Sequence, residues 1–100
     1  MDILIGMNVV DEVLYGRYRA EMTPILASLG GSFGVDVRVS EVLRSPANRP
    51  FNRLFTIRFP SAAARDAFFK DPTYLEVRKR LFEPAVGYYD ELAVYDVPLG

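Results

Sequence analysis

The 100-residue chain contains no cysteine, no histidine and no tryptophan. Without thiols it has no disulfide framework, no thiolate nucleophile and no zinc–sulfur centre. Without imidazole it lacks the general base best matched to neutral pH and the commonest ligand of transition metals. No metal site or cofactor is expected. An excess of either charge is missing too: the formal net charge is −1. No basic field gathers nucleic acid or an anionic membrane surface, so neither is expected as a partner. The opening MDILIGMNVV is apolar, but it carries Asp2, has no preceding positive residues and soon meets Asp11 and Glu12. It reads as neither a secretory leader nor a membrane span, and the cytoplasm is the expected compartment.

Apolar side chains are plentiful. Half the residues are hydrophobic, with seven Phe and six Tyr. One domain is expected at this length. Such a domain buries only roughly 60–70% of its unfolded surface, so a partner subunit would add to its stability.

Four period-two stretches read as strands. The first is Ile3, Ile5, Met7 and Val9. The second is Val35, Val37 and Val39, alternating with Asp36, Arg38 and Ser40. The third is Phe55, Ile57 and Phe59, paired with the second as a long hairpin. The fourth is Leu92 to Val97, bracketed by Asp90, Glu91 and Asp96. Helical spacing joins Leu14, Tyr18, Met22, Ile25, Leu26 and Leu29 behind an Asp11 cap, with Val10 and Tyr15 placed to staple it. Pro24 is expected to kink this helix or loosen the turn around Ala20, and Gly30-Gly31 to end it. Arg44 to Asn52 reads as a loop. Ser61 caps an Ala-rich helix burying Ala64, Ala67, Phe68 and Phe69. Asp71-Pro72 starts another, with Tyr74, Leu75, Val77, Leu81 and Phe82 turned to the core, ended by Pro84 and Gly87. The order is βαββαβ, the ferredoxin-like α+β arrangement, with helices on one face of an antiparallel sheet. The other face, left bare, would invite association, and a symmetric homodimer packed sheet against sheet is expected.

Several motifs together resemble the DUF1330 family: Tyr15-x-x-Tyr18, Gly30-Gly31 before the second strand, Arg53 opening the third, Phe59-Pro60-Ser61 leading into the Ala-rich helix, and Asp71-Pro72-Thr73-Tyr74 in place of a usual Ser-Pro-Glu-Tyr turn. Phe68-Phe69 stands where a Trp-Tyr pair is usual. The resemblance implies a dimeric α+β barrel related to the antibiotic-biosynthesis monooxygenases, in a family whose members generally have no assigned function. Haem-degrading relatives use an Asn at the position of Asn8 with a helix His and a Trp, and this chain has neither.

Two function classes follow. One is an uncharacterised small-ligand-binding or structural homodimer. The other is a cofactor-independent monooxygenase or isomerase acting on a small organic substrate between helices and sheet. The candidate residues are Tyr15 and Tyr18 as hydrogen-bond donors, Arg53 and Arg58 as anion contacts, and Asn8 as an orienting amide; Tyr18 and Asn8 are the catalytic candidates. Asp36 and Arg58 are expected to form a cross-strand ion pair. In the charged stretch Phe59 to Arg80, the charges Lys70, Arg78, Lys79 and Arg80 are balanced by Asp66, Asp71, Glu76 and Glu83. They read as a solvated face, with Glu76 and Arg80 paired one turn apart.

Overall fold

A computed structural model describes residues 1–96. Strands β1 (Asp2–Val9), β2 (Ser32–Arg38), β3 (Arg53–Arg58) and β4 (Val86–Tyr95) form one antiparallel sheet in the order β2-β3-β1-β4. Helices α1 (Glu12–Ser28), α2 (Ala62–Lys70) and α3 (Pro72–Val77) cover one face; a π-helical turn (Arg78–Phe82) and a last short turn α4 (Glu83–Ala85) follow α3. This is the ferredoxin-like arrangement. Ile3, Met7 and Val9 of β1 and Phe55 and Ile57 of β3 are buried beneath Tyr18, Met22, Leu26, Phe68, Tyr74 and Leu81 from the helical layer.

The helix ends follow from local chemistry. Asp11 accepts from Val13 N (3.1 Å) and Leu14 N (3.0 Å), Ser61 from Ala64 N (3.1 Å), and Asp71 from Tyr74 N (2.9 Å), each supplying an acceptor to an otherwise orphaned amide. Gly30 ends α1 at φ +81°. Val10 is left exposed while Tyr15 turns into the core, so the expected staple is not formed. Pro24 does not interrupt α1; Pro24 and Ala20 both lie on its exposed side, where water can satisfy the freed carbonyl.

The start of β4 and the buried face of α2 differ from the sequence expectation. β4 begins at Val86, so Gly87, Asp90 and Glu91 lie inside the strand rather than before it. Arg49 holds Asp90 through two bonds (2.9 and 2.7 Å) and offsets the low strand propensity of aspartate. Val97 lies outside the described residues. Ala67 is exposed, so α2 buries Phe68 and half-buries Phe69 without it.

A bulge in β2 decides which side chains face the helices. Phe33 pairs with Ile57 but Asp36, not Val35, pairs with Phe55. The extra residue switches the alternation and turns Asp36 toward the helical side. Thr56 Oγ1 accepts from Val35 N (3.0 Å) within the bulge, and a Cβ on Gly34 would lie 2.2 Å from that oxygen. Asp36 therefore cannot meet Arg58, which pairs on the opposite face with Asp2 (2.7 Å).

Over that opposite face the β2–β3 connection folds back. Phe51 covers Gly6, where an added Cβ would lie 2.8 Å from its ring. Tyr88 donates to the Pro50 carbonyl. Asn52 imitates a strand partner: its side chain accepts from Val9 N (2.8 Å) and donates to Val9 O (2.9 Å). Asn52→Ala strands both groups of the buried Val9 and is expected to lower unfolding free energy by about 1–3 kcal/mol in urea titration.

Candidate functional site

Between helices and sheet lies a cavity of about 350 Å³. Its floor is Ile3, Ile5 and Met7 of β1 with Phe55 and Ile57 of β3. Tyr15, Tyr18, Arg19 and Met22 of α1 form one wall, and Phe68, Phe69 and Tyr74 another. Arg78 and Phe82 of the π turn and Tyr89 and Glu91 of β4 complete it. Asp66, Tyr89 and Glu91 are exposed and mark the rim. A cavity of ~150 Å³ suffices for benzene, so this one admits a molecule about twice that size.

Aromatic rings make the walls rigid. Tyr18 stands 5.0 Å from Phe82 and 6.3 Å from Tyr74 between ring centroids, and Phe68 lies 4.2 Å from Tyr74. The hydroxyls of Tyr18 and Tyr74 share a hydrogen bond of 2.8 Å inside the protein. Burial pushes the Tyr18 hydroxyl far above the usual phenol range, with the adjacent Tyr74 oxygen adding to it. Burial likewise raises Tyr74 and, against the pull of Arg19, Tyr15. All three stay protonated at neutral pH and donate hydrogen bonds rather than take up protons.

The cations differ in how they are held. Arg19 donates to Tyr15 Oη (2.8 Å) and Asp36 (3.2 Å), with its guanidinium 3.9 Å from the Phe33 ring centroid. Arg53 donates to Asp36 (2.8 and 3.0 Å) and lies 3.8 Å from Glu12. Arg78 is half-buried, 5.0 Å from the Phe82 centroid, and donates to Tyr89 Oη at 3.1 Å. It has no carboxylate partner among the described residues. Burial opposes its charge, but the Tyr89 hydrogen bond and the neighbouring phenolic oxygens outweigh that, and its pKa stands above the usual arginine value.

The sequence candidates separate accordingly. Tyr15 and Tyr18 line the cavity. Arg53 packs against the Tyr15 ring (5.3 Å), but its guanidinium is engaged by Asp36. Arg58 and Asn8 lie on the other face of the sheet, because they share the strand alternation of Asp2 and Gly6 rather than that of Met7. They cannot contact a molecule in this cavity. Glu76 and Arg80 pair as expected (2.8 Å), and Glu21 joins them (2.5 Å). Arg78, read from sequence as part of the same solvated face, instead lines the cavity. Tyr74, Tyr89 and Glu91 were not among the candidates either.

The Arg19–Asp36–Arg53 cluster ties α1 to the sheet beside the cavity, and its pH dependence has a definite sign. The Arg53 hydrogen bond, opposed by desolvation and aided by Arg19, holds Asp36 below its ordinary value of 3.8. A depressed folded-state pKa contributes stability that is present above the unfolded value and lost as pH falls through the folded one. Asp36→Asn should therefore flatten the loss of stability below about pH 4, measured as Tm against pH beside the parent protein. An unchanged acid slope would show that the cluster contributes nothing.

The model of a family described as a domain of unknown function (DUF1330) matches residues 3–86. No curated protein matches the chain. Among solved structures, the RPA0582 protein of unknown function from Rhodopseudomonas palustris aligns with a TM-score of 0.76 at 21% identity, covering 89% of this chain and 75% of that one. The methylated RPA0582 protein aligns with a TM-score of 0.78 at 20% identity, covering 99% and 82%. At these identities the likeness concerns the fold.

Proposed function

The chain belongs to the DUF1330 family, and we propose that it is a cytoplasmic homodimer that binds a small organic molecule in the helix–sheet cavity. The single observation that carries the binding role is the cavity itself, about 350 Å³ within a 100-residue chain, walled by rigid aromatics with a few convergent polar groups. A core serving only stability would be filled.

The dimer rests on the uncovered part of the sheet. Leu4, Thr56 and Ala93 are neighbours across three strands on that face, and Tyr95 (53% exposed) and Val37 (42% exposed) extend it. Phe51 narrows this face without closing it. Asp2–Val9, the apolar opening stretch, is a central strand of the sheet. Among the described residues no helix is long and apolar enough to cross a membrane.

A cofactor-independent monooxygenase or isomerase in the same cavity would need a group that accepts a proton. The cavity tyrosines are held protonated, and the carboxylate of Glu91 sits at the exposed rim. Binding is therefore favoured over catalysis. Native mass spectrometry tests both parts of the reading. We expect about twice the 11.3 kDa chain mass, with a small-molecule adduct surviving gentle purification, and Leu4→Glu should convert the dimer to folded monomer. A monomeric parent protein would overturn the sheet interface. A protein that binds none of a broad library of small aromatic and aliphatic compounds would overturn the binding role.

A further inference from the structure

We infer that the ligand is an organic carboxylate with a flat apolar body, its carboxylate seated against Arg78 and the hydroxyls of Tyr89 and the Tyr18–Tyr74 pair. This deepens the binding role proposed above and rests on it. The observation is a surplus of donors. Arg78 uses one N–H on Tyr89 Oη at 3.1 Å and meets no carboxylate among the described residues. Tyr89 accepts that bond, so its own O–H proton is free to donate. The Tyr18 and Tyr74 hydroxyls share one bond at 2.8 Å, which uses only one of their two protons. The other proton has no acceptor among the described residues.

A guanidinium and two spare phenol protons lining one cavity call for an acceptor-only, negatively charged group. The remaining lining charges do not compete for this place. Arg19 is occupied by Asp36 (3.2 Å) and Arg65 by Asp66 (3.1 Å). Glu91, exposed at the rim, lies two residues further along β4 than Tyr89 and disfavours a second anionic group there. Apolar floor residues such as Ile5, Met7 and Ile57 take the body of the ligand. Arg78, Phe82 and Tyr89 also line an outer cleft with Arg49 and Glu83; Arg49 is engaged by Asp90, so Arg78 is the cation there without a carboxylate partner among the described residues.

Isothermal titration of the intact protein with 2-naphthoate and with 2-naphthamide tests this. The two match in shape, but only the first carries charge. We expect naphthoate to bind about tenfold or more tightly than the amide. Arg78→Gln should remove most of the advantage of naphthoate, with a smaller loss for the amide, whose carbonyl also accepts from Arg78, and Arg78→Lys should restore part of the difference. Should Arg78→Gln not fold, Tyr89→Phe at the rim serves in its place, with a selective severalfold loss for naphthoate. Equal affinity for both probes, or an equal loss of both in either variant, overturns the carboxylate assignment and leaves the cavity as a binding site. Binding of neither probe overturns this inference, and when the compound library also fails, the binding role falls with it.

Discussion

Phe68→Ala is expected to lower the unfolding free energy by about 3–5 kcal/mol, the usual cost of removing a buried phenyl ring. Phe68 is fully buried and packs on Phe59 (5.8 Å), Phe69 (5.1 Å) and Tyr74 (4.2 Å) between ring centroids. Its neighbours are held by capped helices and by the sheet, so they cannot collapse into the space. A cavity already lies on one side of the ring, which removes the packing atoms that might otherwise close in. A domain of this size holds about 5–15 kcal/mol in all. The shift in Tm should be on the order of 15 °C or more, read by circular dichroism. A shift of a few degrees would mean that the aromatic wall is not a fixed part of the core.

Gly31→Ala is expected to cost about 3 kcal/mol, at the upper end for overpacking. A Cβ at this position would lie 2.3 Å from Leu26 Cδ1, 2.8 Å from Leu26 Cγ and 3.2 Å from the Arg58 carbonyl oxygen. Leu26 is fully buried, so its side chain cannot swing out into solvent to make room. The Arg58 carbonyl belongs to the strand opposite Ser32, so moving it disturbs the ladder. Gly31 N also donates to Leu26 O at 2.9 Å as α1 ends. The close approach of helix end and strand is therefore the reason for glycine here, and denaturant titration of the alanine variant measures its worth. Gly16, with nothing within 4 Å of an added Cβ, is the control: Gly16→Ala should be neutral or stabilising, since alanine is favoured over glycine inside a helix by about 1 kcal/mol.

Much of this fold was legible because its signals are local. The Asp11, Ser61 and Asp71 caps, the glycine pair after Leu29 and the alternation in β1 and β3 each depend on residues within a few positions. Their order was enough for the βαββαβ arrangement and the family resemblance. What was not legible depends on distant partners. Asp90 and Glu91 read as a break before β4; only Arg49, 41 positions away in sequence, makes Asp90 acceptable in the strand. Asp36 was placed on the wrong face because a bulge at Gly34 and Val35 needs Thr56 on the next strand to hold it.

The site divides the same way. Tyr18 was found by helical spacing, and Tyr15 beside it by the Tyr15-x-x-Tyr18 motif. Arg78 was hidden in a run of charges that mostly are solvated, and it differs from Lys79 and Arg80 by standing at the start of a π turn. That turn carries the Glu83 N–H to the Arg78 carbonyl, one residue beyond the α-helical partner, just ahead of Pro84, which cannot donate. Pro84 was a visible signal, read as a helix end. A widened turn, often found at functional sites, was its other meaning. Arg58 and Asn8 were misplaced for a simpler reason: both follow strand parity, and parity puts them on the face away from the helices.

The three methionines provide the most direct test of the cavity as a ligand site. Met7 and Met22 line it, and Met1 does not. Protein labelled with 13C at the methionine methyls should give three resolved signals. Addition of 2-naphthoate or 2-naphthamide should then move the Met7 and Met22 signals together, with saturation, while Met1 stays in place. Signals that stay put with both probes, or a response confined to Met1, would contradict a binding site between the helices and the sheet.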